Sequence, residues 1–576
     1  MFPKNSVERM QNIRFLLILL LGLISVMLYE NWQTDYVLNP AVEAAKQAKL
    51  LEENGGVPVS TDMGGNALSA VSDRIITVTT DVYRLEIDTH GGTLQNLDLL
   101  TYPKHSAQED DGWGRLLKEN FDISWLPETE KHSADEVIRL LDSSNKKLFL
   151  AQSGLMGSNS TAPNHHALLT TSENTYTLSD TEDTLKVPLT WTDDNGIEVT
   201  KTFIFTRGSF VISLEQEIIN NSNKTWQGRQ YSQLLRKPLE EDGNNKNFIR
   251  TYEGPVLYST EEKYEKIDYD DLNSSDLSRK NIGGWSAMIQ HYFATAWVPP
   301  ATEENHFYTK KLEDLRYVIG SYSELVTVES LEQTTLVSKL FVGPKLQPVM
   351  EQVSEGLELT VDYGFLTFLG KPIFWLLIHI QEYVINWGLA ILGVTLCIKA
   401  VFFRLSKSSY TSMARMRKVQ PKLTQLKESC GDDKQRFNTE MMALYKREKV
   451  NPLGGCFPIL IQIPVFISLY WVLIETVEIR QAPFAGWLID LSVQDPYYLL
   501  PVLMGITMKL QQLLNAPPID PIQAKIMKMF PYIFTVFFLF FPSGLVLYWV
   551  CNNTLSFLQQ WYITRQLEKN DPDYVA

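Results

Sequence analysis

Cysteine is scarce in this 576-residue chain: there are four, Cys397, Cys430, Cys456 and Cys551, and residues 30–364 contain none. That long stretch is therefore held together without disulfides, by a core that its length is sufficient to build. No CxxC spacing occurs, which argues against a zinc or redox site. Phosphate-cradling P-loops, a GxGxxG ahead of a helix, HExxH and GxSxG are missing too. ATP hydrolysis, zinc proteolysis and serine-nucleophile hydrolysis thus find no motif here. The eight histidines are scattered; His165-His166 sits in a Pro-Asn loop without ligand spacing and reads as surface. Ser543, in Pro-Ser-Gly, reads as a turn residue rather than a nucleophile. No metal, cofactor or catalytic residue is expected, and the chain is not read as an enzyme.

Basic residues are the next shortage, and it is local. Residues 30–365 hold 29 Lys+Arg against 52 Asp+Glu, whereas 404–451 hold 12 against 5. Long apolar runs are also missing from the acidic region. One lies before it, Phe15–Tyr29, and five crowd the end of the chain. Lys4, Arg9 and Arg14 precede the first, which puts 1–12 in the cytoplasm by the positive-inside rule. No small-x-small cleavage site follows Tyr29 and no cysteine is placed for lipidation, so 13–29 reads as an uncleaved signal-anchor rather than a signal peptide. Everything from Glu30 to about Gly364 is then exported, and its acidity reads as a solvated surface.

Residues 30–65, with AVEAAKQAKLLEENGG, lack a sustained core pattern and read as a linker. From about Arg74 apolar and polar residues alternate, as in RIITVTTDVYRLEID and GIEVTKTFIFTRGSFVISLEQEIIN. This predicts a large, mostly antiparallel all-β sandwich over 66–345, followed by a connecting helix at 346–364. The apolar run from Phe365 exceeds one span of roughly 20 residues. Lys371, Pro372, His379, Gln381 and Glu382 suit an amphipathic helix on the outer interface, 365–385, with a true span at 386–403; one bent helix is the alternative. Further spans are expected at 457–476, 497–514, 528–541 and 545–563. They are joined by an outer loop (477–496), an inner loop (515–527) and a tight outer turn at Pro542-Ser543-Gly544, and a cytoplasmic tail follows at 564–576. The fold class is a multi-domain membrane protein with six transmembrane helices and both termini inside.

Residues 404–456 are basic and read as a cytoplasmic helical hairpin turning at Gly431-Asp432-Asp433. Met413, Arg415, Met416, Arg417, Lys418, Met441 and Met442 form its candidate contact surface. The methionines either pack the two helices together or offer an adaptable apolar surface to partners. The basic residues either follow topology and meet anionic lipid headgroups, or also meet ribosomal RNA.

Polar residues interrupt the last five spans: Thr395, Lys399, Gln462, Asn552, Asn553 and Thr554. Thr395 and Lys399, four apart, share a helix face. An ammonium near the middle of a hydrocarbon layer costs roughly 2.5–3.5 kcal/mol, so it needs water, a partner or an escape route. Three readings of Lys399 stand open: snorkelling past Arg404 to the cytoplasmic boundary, a wet cavity open to the cytoplasm, and a salt bridge to Glu475, which the opposite ends of their helices disfavour.

The stretches SSYTSMARMRKVQPK, GDDKQRFNTEMMALYKREKVNPLGGCFPILIQIPVF, RQAPFAGWLIDLSVQDPYY and FPSGLVLYWV, with GGWSAMIQHYFATAWVP and EEKYEKIDYD upstream, resemble the YidC-type membrane protein insertases of Gram-negative bacteria, in the Oxa/Alb superfamily. The resemblance covers nearly the whole chain. It implies a five-helix core enclosing a hydrophilic groove open to cytoplasm and lipid, and a periplasmic β-supersandwich related in fold to sugar mutarotases. It places Lys399 where the family's positive groove residue, usually arginine, stands. Thr395 falls on a groove-lining position and Trp549 near the substrate path, while Gln462, Asn552 and Asn553 complete the candidate groove. The implied activity is insertion and folding of nascent inner-membrane proteins in the bilayer, alone or with the Sec translocon and its accessory subunits. A solute or anion transporter using Lys399 is the rival reading. The chain ends RQLEKNDPDYVA, without a basic tail, so ribosome contact is assigned to the cytoplasmic hairpin and the short inner loop.

Overall fold

A computed structural model describes residues 74–104, 136–158, 161–238, 251–431, 433–448, 457–515 and 521–570. The expected anchor (13–29), the linker (30–65), Asp432 of the hairpin turn, Cys456, part of the inner loop and the last six residues of the tail lie outside them.

The alternation read from about Arg74 onward produces strands. Ile197–Thr206 and Val211–Asn220 alternate buried and part-exposed side chains along nearly their whole length and pair antiparallel through the turn at Gly208, whose φ is +68°. Such a turn favours glycine. The strands assemble into two sheets, one of eleven strands and one of eight. The larger runs from the edge Ser278–Ile282 through Trp226–Arg236 and Phe149–Gly157 to Thr175–Thr177, which pairs parallel to Ile75–Thr79. The smaller runs from Lys263–Lys266 to Thr184–Thr192. Every other pairing between these strands is antiparallel, as between Gln333–Pro344 and Val211–Asn220. Phe203, Phe205, Leu214, Trp297, Phe307 and Leu340 fill the space between the sheets.

That core also contains charge. Lys201 is buried, and its ammonium donates to the carbonyls of Gly91 at 2.5 Å and Ser153 at 2.8 Å. His165 contradicts the surface reading: it is 4% exposed, although His166 is exposed. Its loop folds against Gly91, where a Cβ would approach the His165 Cα to 2.2 Å, and Tyr231 Oη lies 2.5 Å from its Nδ1. Proline and asparagine marked a loop, and the close approach that Gly91 permits lets it fold inward.

The chain leaves the sandwich through Gln333–Pro344 and the short helix Gln347–Val353. Helix Thr367–Val384 follows. Ile385, left-handed at φ +52°, ends it, and Asn386 caps the next helix, Trp387–Val401, accepting from the Leu389 amide at 3.0 Å. The long apolar run is therefore divided between 384 and 387. Beyond a 69° bend at Phe402 comes helix Phe403–Cys430, antiparallel to Lys434–Arg447. The remaining helices are Phe457–Glu475, Leu499–Leu513, Pro521–Phe538 and Ser543–Asn570.

Among the described residues, Gly364–Val384, assigned above to the interface, is the one helix long and apolar enough by itself to cross a membrane; Trp387–Val401 and Phe403–Cys430 qualify as a bent pair, and Gln462–Glu475 is a shorter apolar stretch. The other helices nevertheless expose large apolar side chains, including Val502, Ile506, Leu510, Ile533, Val536 and Phe537. Water does not tolerate a surface of that kind well, but a hydrocarbon layer does. One continuous core joins the end of the sandwich, at Tyr258, Trp285 and Phe341, to the helices, at Leu377, Val394, Leu469 and Leu545.

Burial pushes the His165 imidazole down to about 3, and those of His291 and His306 to about 4; it pushes the Lys201 ammonium down to about 7. A base with a depressed folded-state pKa leaves the folded protein short of protons between its folded and unfolded pKa values, so stability rises with pH across that interval. Melting of the full-length protein, followed by the near-ultraviolet signal of the sandwich, should shift upward from pH 4 to 6.5, and again above pH 7. Lys201→Met should remove the second rise, and a profile unchanged by that substitution would contradict the lowered pKa of Lys201 in the core.

Candidate substrate groove

Helix Trp387–Val401 presents Thr395 and Lys399 on one face, as their spacing requires. Lys399 lies in its last turn, where a cation is favoured by the carbonyl end of the helix dipole. The lysine side chain reaches across to helix Ser543–Asn570, and its Nζ donates to Ser556 Oγ at 2.6 Å. Ser556 in turn donates to the Asn552 carbonyl, one helical turn back, at 2.7 Å. Asn552 Oδ1 accepts from Gln462 Nε2 of helix Phe457–Glu475. Four polar side chains thus join three helices.

A small cavity of about 20 Å³, open to the surroundings on one side, lies beside this chain of bonds and is lined by Ile398, Lys399, Phe402, Leu405, Ser406, Gln462 and Val465. Its floor comes from the bend at Phe402 and the first turns of the hairpin helix. With a cation, an amide and a hydroxyl among its apolar walls, a space of this size has room for about one water with polar partners.

The candidate residues separate into two groups. Lys399 and Gln462 line the cavity, and Asn552 braces Gln462 from behind. Thr395 is almost fully buried and its hydroxyl donates to the Ile391 carbonyl of its own helix at 2.7 Å, so it packs rather than lines. Trp549 stacks edge-on against Phe466, with ring centroids 4.3 Å apart, and lies 5.2 Å from the ring of Phe538. Asn553 is buried away from the cavity lining. Ser556 and Ser406 escaped notice in the sequence, although Asn552, Ser556 and Gln560 form an i, i+4, i+8 row that marks one helix face.

The hairpin divides in the same way. Met416 and Met441 pack around Val419, Leu423, Leu444 and Tyr445, whereas Met442 is half exposed and Met413 half buried. Arg415 and Lys418 are exposed, and Arg417 is partly covered. Glu475 does not meet Lys399; it pairs with Lys345 at 2.9 Å at the far end of its helix.

Helices with apolar outer faces around a small polar cavity, joined to a large β-sandwich, are the build of an integral membrane protein. The family described as 60Kd inner membrane protein matches residues 379–570, and that described as YidC periplasmic domain matches residues 75–124 and 126–376. The membrane protein insertase YidC of Methylococcus capsulatus is 51% identical over 571 residues, covering 97% of this chain and 99% of that one. The membrane protein insertase YidC of Thioalkalivibrio sulfidiphilus is 44% identical over 584 residues, with coverage of 97% and 99%. An active YidC insertase solved by crystallography with its first transmembrane domain resolved shares 16% identity at a TM-score of 0.36, covering 86% of this chain and 93% of that one. The chain belongs to the YidC family of bacterial inner-membrane protein insertases, which is not a family of catalysts. Nothing in these relatives favours the transporter reading.

Removing the hydroxyl that receives Lys399 should be costly, because hydrogen bonds to charged groups contribute about 1.5–3 kcal/mol. Ser556→Ala is expected to lower the denaturation midpoint of the purified protein in detergent, and Ser556→Thr to restore it. Equal midpoints for all three proteins would place the ammonium elsewhere.

Proposed function

We propose that this protein inserts nascent inner-membrane proteins, and assists their folding, by lending them a hydrated pocket inside the bilayer. The observation that carries the reading is Lys399, turned into the bundle towards a neutral hydroxyl and beside a cavity, with no carboxylate paired to it among the described residues. A cation so placed keeps its attraction for an incoming acidic or polar flank, because no fixed anion cancels it. The apolar segment of the client then moves sideways into lipid. At about 25 cal/mol per Å² of buried apolar surface, a membrane-spanning segment supplies ample driving force without nucleotide.

In this reading Lys399 and Gln462 face the client, Asn552 and Ser556 hold them in place, and Thr395, Trp549 and Asn553 shape the wall behind. The chain crosses the inner membrane six times, through the anchor at 13–29 and the segments 386–403, 457–476, 497–514, 528–541 and 545–563, with both termini in the cytoplasm and the sandwich in the periplasm. Helix Thr367–Val384 lies along the outer interface with Phe368, Trp375 and Tyr383, all exposed, turned to lipid. The exposed Arg415, Lys418 and Met442 suit contact with anionic lipid or a ribosome, and the Sec translocon is a partner for larger clients.

The test is insertion of a small membrane protein into proteoliposomes. Wild-type protein should exceed empty liposomes; equality would refute the function. Lys399→Arg should preserve insertion, whereas Lys399→Ala and Lys399→Glu should lower it by about tenfold, ~1.4 kcal/mol, for clients with acidic flanks. Equal activity of all three variants would leave Lys399 without a role in client binding.

A further inference from the structure

Helices Leu499–Leu513 and Pro521–Phe538 pack antiparallel. Gly505 allows the approach, since a Cβ there would run into the Thr535 hydroxyl. Gln512, near the end of the first helix, donates to the Met527 carbonyl near the start of the second. Between these two contacts Lys509 meets Tyr532. Its Nζ donates to the phenol oxygen at 2.6 Å and stands 5.1 Å from the centre of the ring. Both side chains are exposed.

The surface around this pair is apolar. Val502, Ile506 and Leu510 are exposed along the outer stripe that carries Lys509, and Met529, Ile533 and Val536 along the one that carries Tyr532. Nearer the loop, Lys525 and Lys528 are exposed on the same helix face as Tyr532, at spacings of three and four residues. Neither helix contains an aspartate or glutamate, and among the described residues no carboxylate is paired with any of the three lysines. An ammonium thus stands in an apolar outer surface with a neutral hydroxyl as its partner. It lies four residues before the end of its helix, about 6 Å at helical rise, within reach of the membrane boundary for a lysine stem.

The chemistry of the missing partner follows. It is an anion, because three ammonium groups face no fixed charge. It accepts hydrogen bonds: the phenol accepts from Lys509 and keeps its own proton to donate. It also tolerates hydrocarbon, because Ile506, Ile533 and Val536 adjoin the pair, and that excludes a soluble acid or a nucleic acid but suits a molecule whose acyl chains already lie there. We propose that Lys509, Tyr532, Lys525 and Lys528 form a headgroup site for one anionic phospholipid of the cytoplasmic leaflet. The phosphate diester sits between the Lys509 ammonium and the Tyr532 hydroxyl, and Lys525 and Lys528 select net negative charge over a zwitterionic headgroup, whose own cation they repel. The inference rests on the reading that 497–514 and 528–541 cross the membrane.

The experiment uses full-length protein with its four native cysteines replaced by serine and Met529→Cys carrying a fluorophore, in phosphatidylcholine vesicles. Met529 is exposed one turn from Tyr532. A trace of the lipid bears a nitroxide high on an acyl chain, as phosphatidylglycerol in one sample and as phosphatidylcholine in the other. Quenching should favour phosphatidylglycerol by about tenfold at equal dose. Lys509→Gln should lower that preference by about fivefold and Tyr532→Phe by about twofold, whereas Lys509→Arg should keep it. Quenching by phosphatidylcholine should be the same in every variant, which reports that the helices remain folded in the bilayer. Equal quenching by the two lipids, or a preference untouched by Lys509→Gln, would overturn the headgroup site alone. Quenching by neither lipid would put position 529 outside the bilayer and sink the six-span reading with it. Inorganic phosphate that erases the preference, where chloride at equal ionic strength does not, would reassign the site to a free anion.

Discussion

A cation inside a hydrocarbon layer has to be accounted for, and the arrangement of the helices follows from how this one is accommodated. Lys399 is answered by a hydroxyl, which accepts a hydrogen bond but cancels no charge. Water must supply the remainder, and the cavity beside the ammonium is where it can stand. The 69° bend at Phe402 opens that space by turning the chain away from the bundle just after the lysine. The amide of Gln462, bonded to Asn552, closes its other side without adding an anion. A carboxylate in place of Ser556 would have satisfied the lysine and left little attraction for a client.

Helices in lipid gain nothing from hiding apolar faces from one another, so their association depends on close packing and on polar bonds between them. The row Asn552, Ser556 and Gln560 provides such bonds along one face of a single helix. Asn552 ties it to Gln462, Ser556 to Lys399, and Gln560 to the Leu514 carbonyl and the Asn515 side chain. Helix Ser543–Asn570 is thus the post on which the others are hung, and the groove occupies one side of it. At the opposite end of the molecule the sandwich and the helices share a continuous apolar core. The sandwich is consequently built into the helical region rather than tethered to it.

Much of this was legible in the chain. Strict alternation announced the strands at 197–206 and 211–220 because one face of each is buried and the other partly exposed. Asn386 ahead of Trp387-Gly388 marked the break in the apolar run because an asparagine caps a helix by accepting its third amide. Lys399 and Gln462 stood out because charge and amide are rare among apolar neighbours. Other features were invisible for physical reasons. A serine in a membrane helix is unremarkable until the side chain opposite is known, so Ser556 was passed over. Thr395 faces the right way, yet a threonine hydroxyl can satisfy itself on its own helix, and this one does. His165 was misread because loop composition says nothing about which way a loop folds. Lys345 and Glu475 are 130 residues apart, in different domains, and no local pattern announces such a pair.

The central claim is that water reaches Lys399 from the cytoplasmic side. It is tested most directly by replacing the four native cysteines with serine, placing a single cysteine at position 399, and measuring its reaction with a membrane-impermeant maleimide added to one side or the other of oriented vesicles. A thiol reacts as thiolate, which forms in water and not in hydrocarbon. The account predicts rapid labelling from the cytoplasmic side and slow labelling from the periplasmic side. Position 399 that stays unlabelled from the cytoplasm, while an exposed position such as 442 in the hairpin reacts fully, would contradict it.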